Sequence, residues 1–240
     1  IHQRGNYNIA ITHGVFNHWK LRNDIDRVIY DGVFDYKNIV NLSSSDKENY
    51  FLFVGRVQEG KGTLEAIKAF TLFQKGNKGA YRLLIAGTYW PSGKYFQQCQ
   101  KLIRKNKLED KVEFLGERSD VYLLMQRAIA ILVPSFFEGF GFITVEAMLN
   151  RCPVIGRNTG GTKEQFDNGL RLTGHEIGFR FNTVQEMASH MATILITDTS
   201  EMRKYAFETV SSNYSQQIHA RRIEEYYQWI LLSEHRNSGK

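Results

Sequence analysis

Short apolar runs alternate repeatedly with stretches of helical periodicity, and this alternation narrows the possible folds more than any other feature. The runs lie at residues 51–54, 83–86, 112–115, 129–133 and 153–155. Most are apolar throughout, as strands buried on both faces of a parallel sheet are. Between them, Leu64, Ile67, Phe70 and Phe73 recur at about one turn, and residues 95–105, 121–127 and those from Glu146 onward carry similar patterns. Strand and helix in this order specify an α/β fold, a Rossmann-like doubly wound parallel sheet. With 42% hydrophobic and 23% charged residues in 240, the chain can bury a substantial core.

The two ends differ from the middle. Residues 1–45 hold only a weak strand candidate at residues 27–30, with Asp31-Gly32 as a turn. After Gly178 the pattern is mostly helical, at residues 184–196, 202–210 and 215–232. The last of these carries Ile218, Ile223, Tyr226, Tyr227, Ile230 and Leu231, an apolar surface that docks on the domain itself or on a partner domain. No apolar run approaches the roughly 18 to 20 residues of a membrane span. Ile1 opens the chain without a methionine or a signal-peptide pattern, so it reads as part of something larger. The two cysteines, Cys99 and Cys152, fit a reducing compartment better than a disulfide scaffold. A net charge of +6 favours an anionic partner without choosing among nucleic acid, acidic lipid and nucleoside diphosphate.

In a doubly wound sheet ligands bind beyond the carboxyl ends of the strands, so the residues after each apolar run matter most. After the first run comes Gly55-Arg56-Val57-Gln58-Glu59-Gly60-Lys61-Gly62-Thr63. Glycines admit an anion close to the backbone, a helix start offers free N–H groups, and Arg56 and Lys61 add cations. The spacing is not that of a Walker A loop. The competing reading is a glycine-rich turn with two solvated charges. After residues 129–133 comes Pro134-Ser135-Phe136-Phe137-Glu138-Gly139-Phe140-Gly141, with a helix expected from about Ile143 and Glu146 one turn inside it. Glu138 and Glu146 can accept hydrogen bonds from sugar hydroxyls. Their bland alternatives are a solvated loop acid and a first-turn acid that suits the helix dipole. A third glycine turn, Gly156-Arg157-Asn158-Thr159-Gly160-Gly161-Thr162-Lys163-Glu164, follows residues 153–155. The convergence of these loops on one crevice weakens each bland alternative.

Together, Arg56 with Lys61, the Glu-x7-Glu pair Glu138 and Glu146, and Gly160-Gly161-x-x-Glu164 resemble the retaining glycosyltransferases of family 4 (group 1). The resemblance spans roughly residues 27–232 and corresponds to the C-terminal, donor-binding domain of the two-domain GT-B architecture. Residues 28–35 resemble the segment that enters this domain from the first. The resemblance implies a division into residues 1–45, leading in from an N-terminal acceptor domain, residues 46–214, the nucleotide-sugar-binding domain, and residues 215–240, a helix packing on the absent domain. It implies that Arg56 and Lys61 bind the donor diphosphate, that Glu138 holds the sugar and that Glu146 holds the ribose. It further assigns the backbone of Gly139, Phe140 and Gly141 to the sugar and phosphate site, with Gly55 at its edge. Glu117 and Arg118 fall at the nucleobase, met largely through backbone, and Gly160 and Gly161 at a tight turn near the sugar. The implied chemistry is transfer from a UDP- or GDP-type sugar with retention, with fixed cations in place of a cofactor or metal. The implied acceptor is a saccharide or lipid-linked molecule bound mainly by the other domain. The setting is cytoplasmic, at the inner face of the plasma membrane if the whole protein associates peripherally, in polysaccharide or glycoconjugate synthesis. One departure is Asn150-Arg151-Cys152 before Pro153, where the family often has glycine.

Other classes remain to be weighed. An epimerase or another nucleotide-sugar enzyme could share the architecture, and so could a non-catalytic nucleotide-binding module. A phosphorylase would need a distinguished lysine for pyridoxal phosphate. A nucleic-acid binder lacks any motif, and the basic residues are dispersed among acids. No Gly-x-Gly-x-x-Gly marks a dinucleotide site.

Overall fold

The computed structural model describes residues 7–33, 47–77 and 79–238. The expected border near residue 45 lies outside the described residues, as do Phe34 and Asp35 of the entering segment. The central architecture is a six-stranded, wholly parallel sheet. Its strands and helices run in chain order. They are β3 (Tyr50–Val54), α2 (Thr63–Gly76), β4 (Arg82–Ala86), α3 (Lys94–Lys105), β5 (Val112–Gly116), α4 (Val121–Arg127), β6 (Ala130–Val133), α5 (Phe142–Leu149), β7 (Val154–Arg157), α6 (Gly160–Thr173), β8 (Phe179–Phe181), α7 (Val184–Thr193), α8 (Ser200–Asn213) and α9 (Gln216–Ser238). The entering segment holds β1 (Ile9–Ala10), α1 (His13–His18) and β2 (Arg27–Val28).

Strand order is β5-β4-β3-β6-β7-β8. The chain starts at the middle, winds outward through β4 and β5, then crosses back to β6 and winds the other way. The strands are apolar on both faces because each face is covered. Phe51, Phe53, Leu83 and Ile85 pack with Ile67, Phe70, Ile103 and Met187 of α2, α3 and α7. Tyr50, Leu52, Leu84 and Ile131 pack with Met125, Val145, Phe166 and Val210 of α4, α5, α6 and α8. At about 25 cal/mol per Å² of apolar surface, these two layers supply the main stabilisation.

The helical reading after Gly178 is incomplete, because β8 completes the sheet there by pairing with β7. Its Phe-Arg-Phe alternation has the strand period but is too short to outweigh the helices that follow. Only Arg27–Val28 of the expected strand at residues 27–30 is extended, and it pairs with β1, apart from the main sheet. Arg151, where the resemblance leads one to expect glycine, has a left-handed backbone with φ of 53°. That conformation costs a non-glycine residue about 1–2 kcal/mol; the guanidinium stacks 4.2 Å from the Phe207 ring centre. The aromatic surface of α9 docks on the entering segment: Tyr226 Oη donates to the Ile25 carbonyl at 2.6 Å, and the Arg27 guanidinium lies 4.5 Å from the Trp229 ring centre. Tyr227, Leu231 and Leu232 remain exposed. Among the described residues no helix is long and apolar enough to cross a membrane. Both cysteines are buried and unpaired.

Candidate functional site

The topological switch point lies between β3 and β6, where the winding reverses; doubly wound sheets take their ligands at the carboxyl edge there. The loop after β3 ends in a 3-10 turn, Glu59–Lys61, and Gly62 then starts α2 with φ of 73°. A side chain at Gly62 would place its Cβ 2.5 Å from the Pro134 carbonyl oxygen. Glycine therefore satisfies the left-handed turn and lets this loop close against the end of β6. The Phe136 N–H then donates to the Gly60 carbonyl at 3.1 Å.

That closure brings Lys61 and Glu138 together across the switch point. Lys61 Nζ donates to Glu138 Oε1 at 2.7 Å, with side-chain exposures of 28% and 15%. Glu138 is thus not a solvated loop acid. The third loop reaches the same place, since the Gly161 N–H donates to the Glu138 carbonyl at 2.7 Å. An added Cβ at Gly160 would lie 2.6 Å from that carbonyl oxygen, and one at Gly161 would overlap the Phe140 carbonyl. The Gly-Gly pair opens α6 itself, and its function here is close backbone approach.

Glu146 lies in the second turn of α5, beyond the first-turn position that suits the dipole. Its half-buried carboxyl has no ion pair or side-chain hydrogen bond among the described residues, and burial raises its pKa above the ordinary carboxylate value. Gly141 caps α5 without a side-chain hydrogen bond; the Thr144 N–H donates to the Gly141 carbonyl, while those of Phe142 and Ile143 meet no acceptor among the described residues and are left for an anion. Arg56 is exposed. It forms no ion pair among the described residues, so the bland reading of Arg56 as a solvated charge still stands.

Other expected residues are placed differently. The Phe140 ring is buried, edge-on to Phe142 and Tyr214, which leaves its main chain for any ligand. Glu117 is exposed after edge strand β5. The Arg118 guanidinium forms a fork with Asp120, at 2.8 and 2.7 Å. No hydrogen bond or ion pair among the described residues joins Glu117 or Arg118 to the switch-point loops. Gly55 takes φ of 152° and donates its N–H to the Ala86 carbonyl at 2.9 Å. No cluster of three or more His, Cys, Asp or Glu suited to a metal occurs among the described residues. Sequence reasoning assigned no role to Thr12, and it named Glu164 only as a motif member; both contact this region through the entering segment.

The fold and the Lys61–Glu138 pair define a Rossmann-like α/β protein with a charged switch-point site. Its residues 36–209 match the family model for glycosyl transferases group 1, and the chain belongs to that family, in the C-terminal region of the GT-B fold. It is 33% identical over 132 residues to the O-antigen chain mannosyltransferase RfbU of Salmonella typhimurium, covering 53% of this chain and 35% of the relative. It is 31% identical over 163 residues to the D-inositol 3-phosphate glycosyltransferase of Corynebacterium glutamicum, covering 63% and 36%. The chain therefore spans little more than a third of these relatives. A glycosyltransferase structure from Rickettsia africae superposes with a TM-score of 0.79 at 24% identity, covering 93% of this chain and 63% of that one. Anabaena Alr3699/HepE, solved with UDP and glucose, gives 0.75 at 24% identity, covering 92% and 62%.

Proposed function

We propose that this chain is the donor-binding half of a retaining glycosyltransferase that moves a sugar from a UDP- or GDP-type nucleotide sugar to an acceptor. The observation that carries the reading is the Lys61–Glu138 pair held across the switch point at 2.7 Å, with the desolvated Glu146 carboxyl on α5, which has no ion pair or side-chain hydrogen bond among the described residues. When the donor enters, Lys61 exchanges Glu138 for the diphosphate, and Glu138 turns to the sugar hydroxyls. Arg56 adds a second cation, and the α5 N-terminus and the Gly139–Gly141 backbone add N–H dipoles. These groups neutralise the charge that grows on the leaving diphosphate, so that no metal is required for that task. Glu146 accepts from the ribose hydroxyls, which gives its desolvated carboxyl hydrogen-bond donors. Gly55 lies at the edge of the sugar and phosphate site, Glu117 and Arg118 border the nucleobase, and Gly160 and Gly161 hold the sugar-side turn.

Complexes of HepE with UDP and UDP-glucose support this choice of donor. In the whole protein, residues 1–45 lead in from an acceptor domain, residues 46–214 hold the donor and residues 215–240 return toward that domain. The acceptor, a saccharide or lipid-linked molecule, meets the donor across the cleft. The reaction takes place in the cytoplasm, in polysaccharide or glycoconjugate synthesis. Calorimetric titration of the chain with UDP, GDP, UDP-glucose and GDP-mannose tests the reading. Binding of one nucleotide and of its sugar conjugate is expected, and absence of binding by all four would overturn it.

A further inference from the structure

Three successive carbonyls of the Glu138–Gly141 loop are held, and the three N–H groups that follow them are not. The Glu138 carbonyl accepts from the Gly161 N–H at 2.7 Å. The Gly139 carbonyl accepts from Thr12 Oγ1 at 2.9 Å, and the Phe140 carbonyl from Gln165 Nε2 at 2.5 Å. In a planar trans peptide the N–H points opposite to the carbonyl of the preceding residue. Holding these carbonyls therefore fixes the N–H directions of Gly139, Phe140 and Gly141. None of those N–H groups donates to another described residue. Oriented, unused main-chain donors of this kind form an anion-binding concavity.

Two of the three carbonyl holders come from α6, which packs directly on the loop. The third comes from the entering segment, 127 residues away in sequence. Thr12 is 2% exposed and also caps α1, accepting from the Val15 N–H at 3.2 Å. Its place depends on Glu164, whose Oε1 accepts from the His13 N–H at 2.8 Å and whose Oε2 accepts from the Gly14 N–H at 3.2 Å. Tyr30 adds a third donor, its hydroxyl reaching Glu164 Oε1 at 2.8 Å. Burial pushes the Tyr30 pKa up to about 12, which keeps that hydroxyl a donor. One carboxylate thus ties the Thr12–Gly14 turn to α6, and the turn in turn holds the loop.

We propose that Thr12 and Glu164 are positioning residues that preorganise the N–H groups of Gly139, Phe140 and Gly141 for the donor, linking the entering segment to the donor loop. The proposal rests on the donor-site reading for the identity of the ligand, not for the geometry. Preorganised donors avoid a reorganisation cost when charge develops opposite them. The entering segment is thereby part of the donor site's support, so its displacement would loosen the loop.

The test compares Thr12→Val, Thr12→Ser and Glu164→Gln in this chain. It reads NMR backbone order parameters at residues 139–141 and affinity for UDP, GDP, UDP-glucose and GDP-mannose. Thr12→Val is expected to lower the order parameters of these amides and to weaken the bound nucleotide sugar by about fivefold, the effect of one lost hydrogen bond. Thr12→Ser restores both. Glu164→Gln acts in the same direction, and adding it to Thr12→Val produces little further loss because both act along one path. Should Thr12→Val fail to fold, Glu164→Gln reads the same amides alone. Unchanged order parameters and unchanged affinity in Glu164→Gln and Thr12→Val would overturn the proposal, as would failure of Thr12→Ser to rescue. If the unsubstituted chain binds no nucleotide, the donor-site reading falls, while the order-parameter comparison still decides the positioning role.

Discussion

Two cation–carboxylate pairs stand at the carboxyl edge of the same sheet and differ in nearly every physical respect. Arg118 and Asp120 are two residues apart, exposed, and joined in a fork within one loop. Lys61 and Glu138 are 77 residues apart, largely shielded, and brought together only because the sheet reverses its winding between β3 and β6. Water screens the first pair, which contributes little. The second has given up part of its hydration for one hydrogen bond, so an anionic ligand can compete for the lysine on favourable terms. Charge alone does not mark a site; partial burial of charges drawn from distant loops does.

The sharpest way to break this contrast is to remove one member of each pair. Lys61→Ala is expected to weaken nucleoside diphosphate binding by about 1.5–3 kcal/mol and to lower Tm, because Glu138 is left shielded and unpaired. Calorimetry with the nucleotide that binds, and a thermal melt, read both effects. Arg56→Ala should cost about tenfold in affinity with no change in Tm, since Arg56 is exposed. Equal affinity in both variants and the parent would return the two cations to solvated charges.

Glu146→Gln separates binding from stability. The free diphosphate and the intact donor should both bind more weakly, by about 1–3 kcal/mol, as the ribose loses a charged acceptor. Stability should move the other way. Burial raises the folded pKa of Glu146 above its ordinary value of 4.5, so between those two values the native state binds more protons and stability falls as pH rises. At pH 7 the ionised group therefore costs stability, and the glutamine variant should melt higher. The advantage should shrink as pH falls through the raised pKa toward 4.5. Melts across that range check the sign, and a variant that melts lower at pH 7 would contradict it.

Glu138→Gln should leave diphosphate affinity equal or higher, because Lys61 no longer has a competing carboxylate. It should weaken the sugar conjugate by about 1–3 kcal/mol. Identical losses with the two ligands would refute a sugar-contact role. The smallest effect belongs to Arg118→Ala, expected to change affinity by no more than about twofold and Tm hardly at all, as for other exposed pairs. A loss there as large as that of Lys61→Ala would erase the contrast between the pairs.

The doubly wound sheet was legible in the sequence because its strands are buried on both faces and so read as uninterrupted apolar runs, bounded by glycine turns. The three loops of the crevice were legible for the same reason, being whatever follows those runs. β8 was not, since three residues of alternation carry too little signal beside strong neighbouring helices. Nor was α1, a short helix whose N-terminus is held by Glu164 from more than 150 residues away.

By itself, then, the sequence determined local matters: which of the longer, strongly patterned segments are strands or helices, where glycines permit tight turns, and which charged side chains stand near strand ends. Only the tertiary structure decided that Lys61 meets Glu138 while Arg118 turns to its own loop. It alone left Glu146 without a side-chain partner among the described residues and set Thr12 against the Gly139 carbonyl. The physical reason is that hydrogen bonding and desolvation depend on distances in space, and the crossover from β5 to β6 sets those distances for groups far apart in the chain.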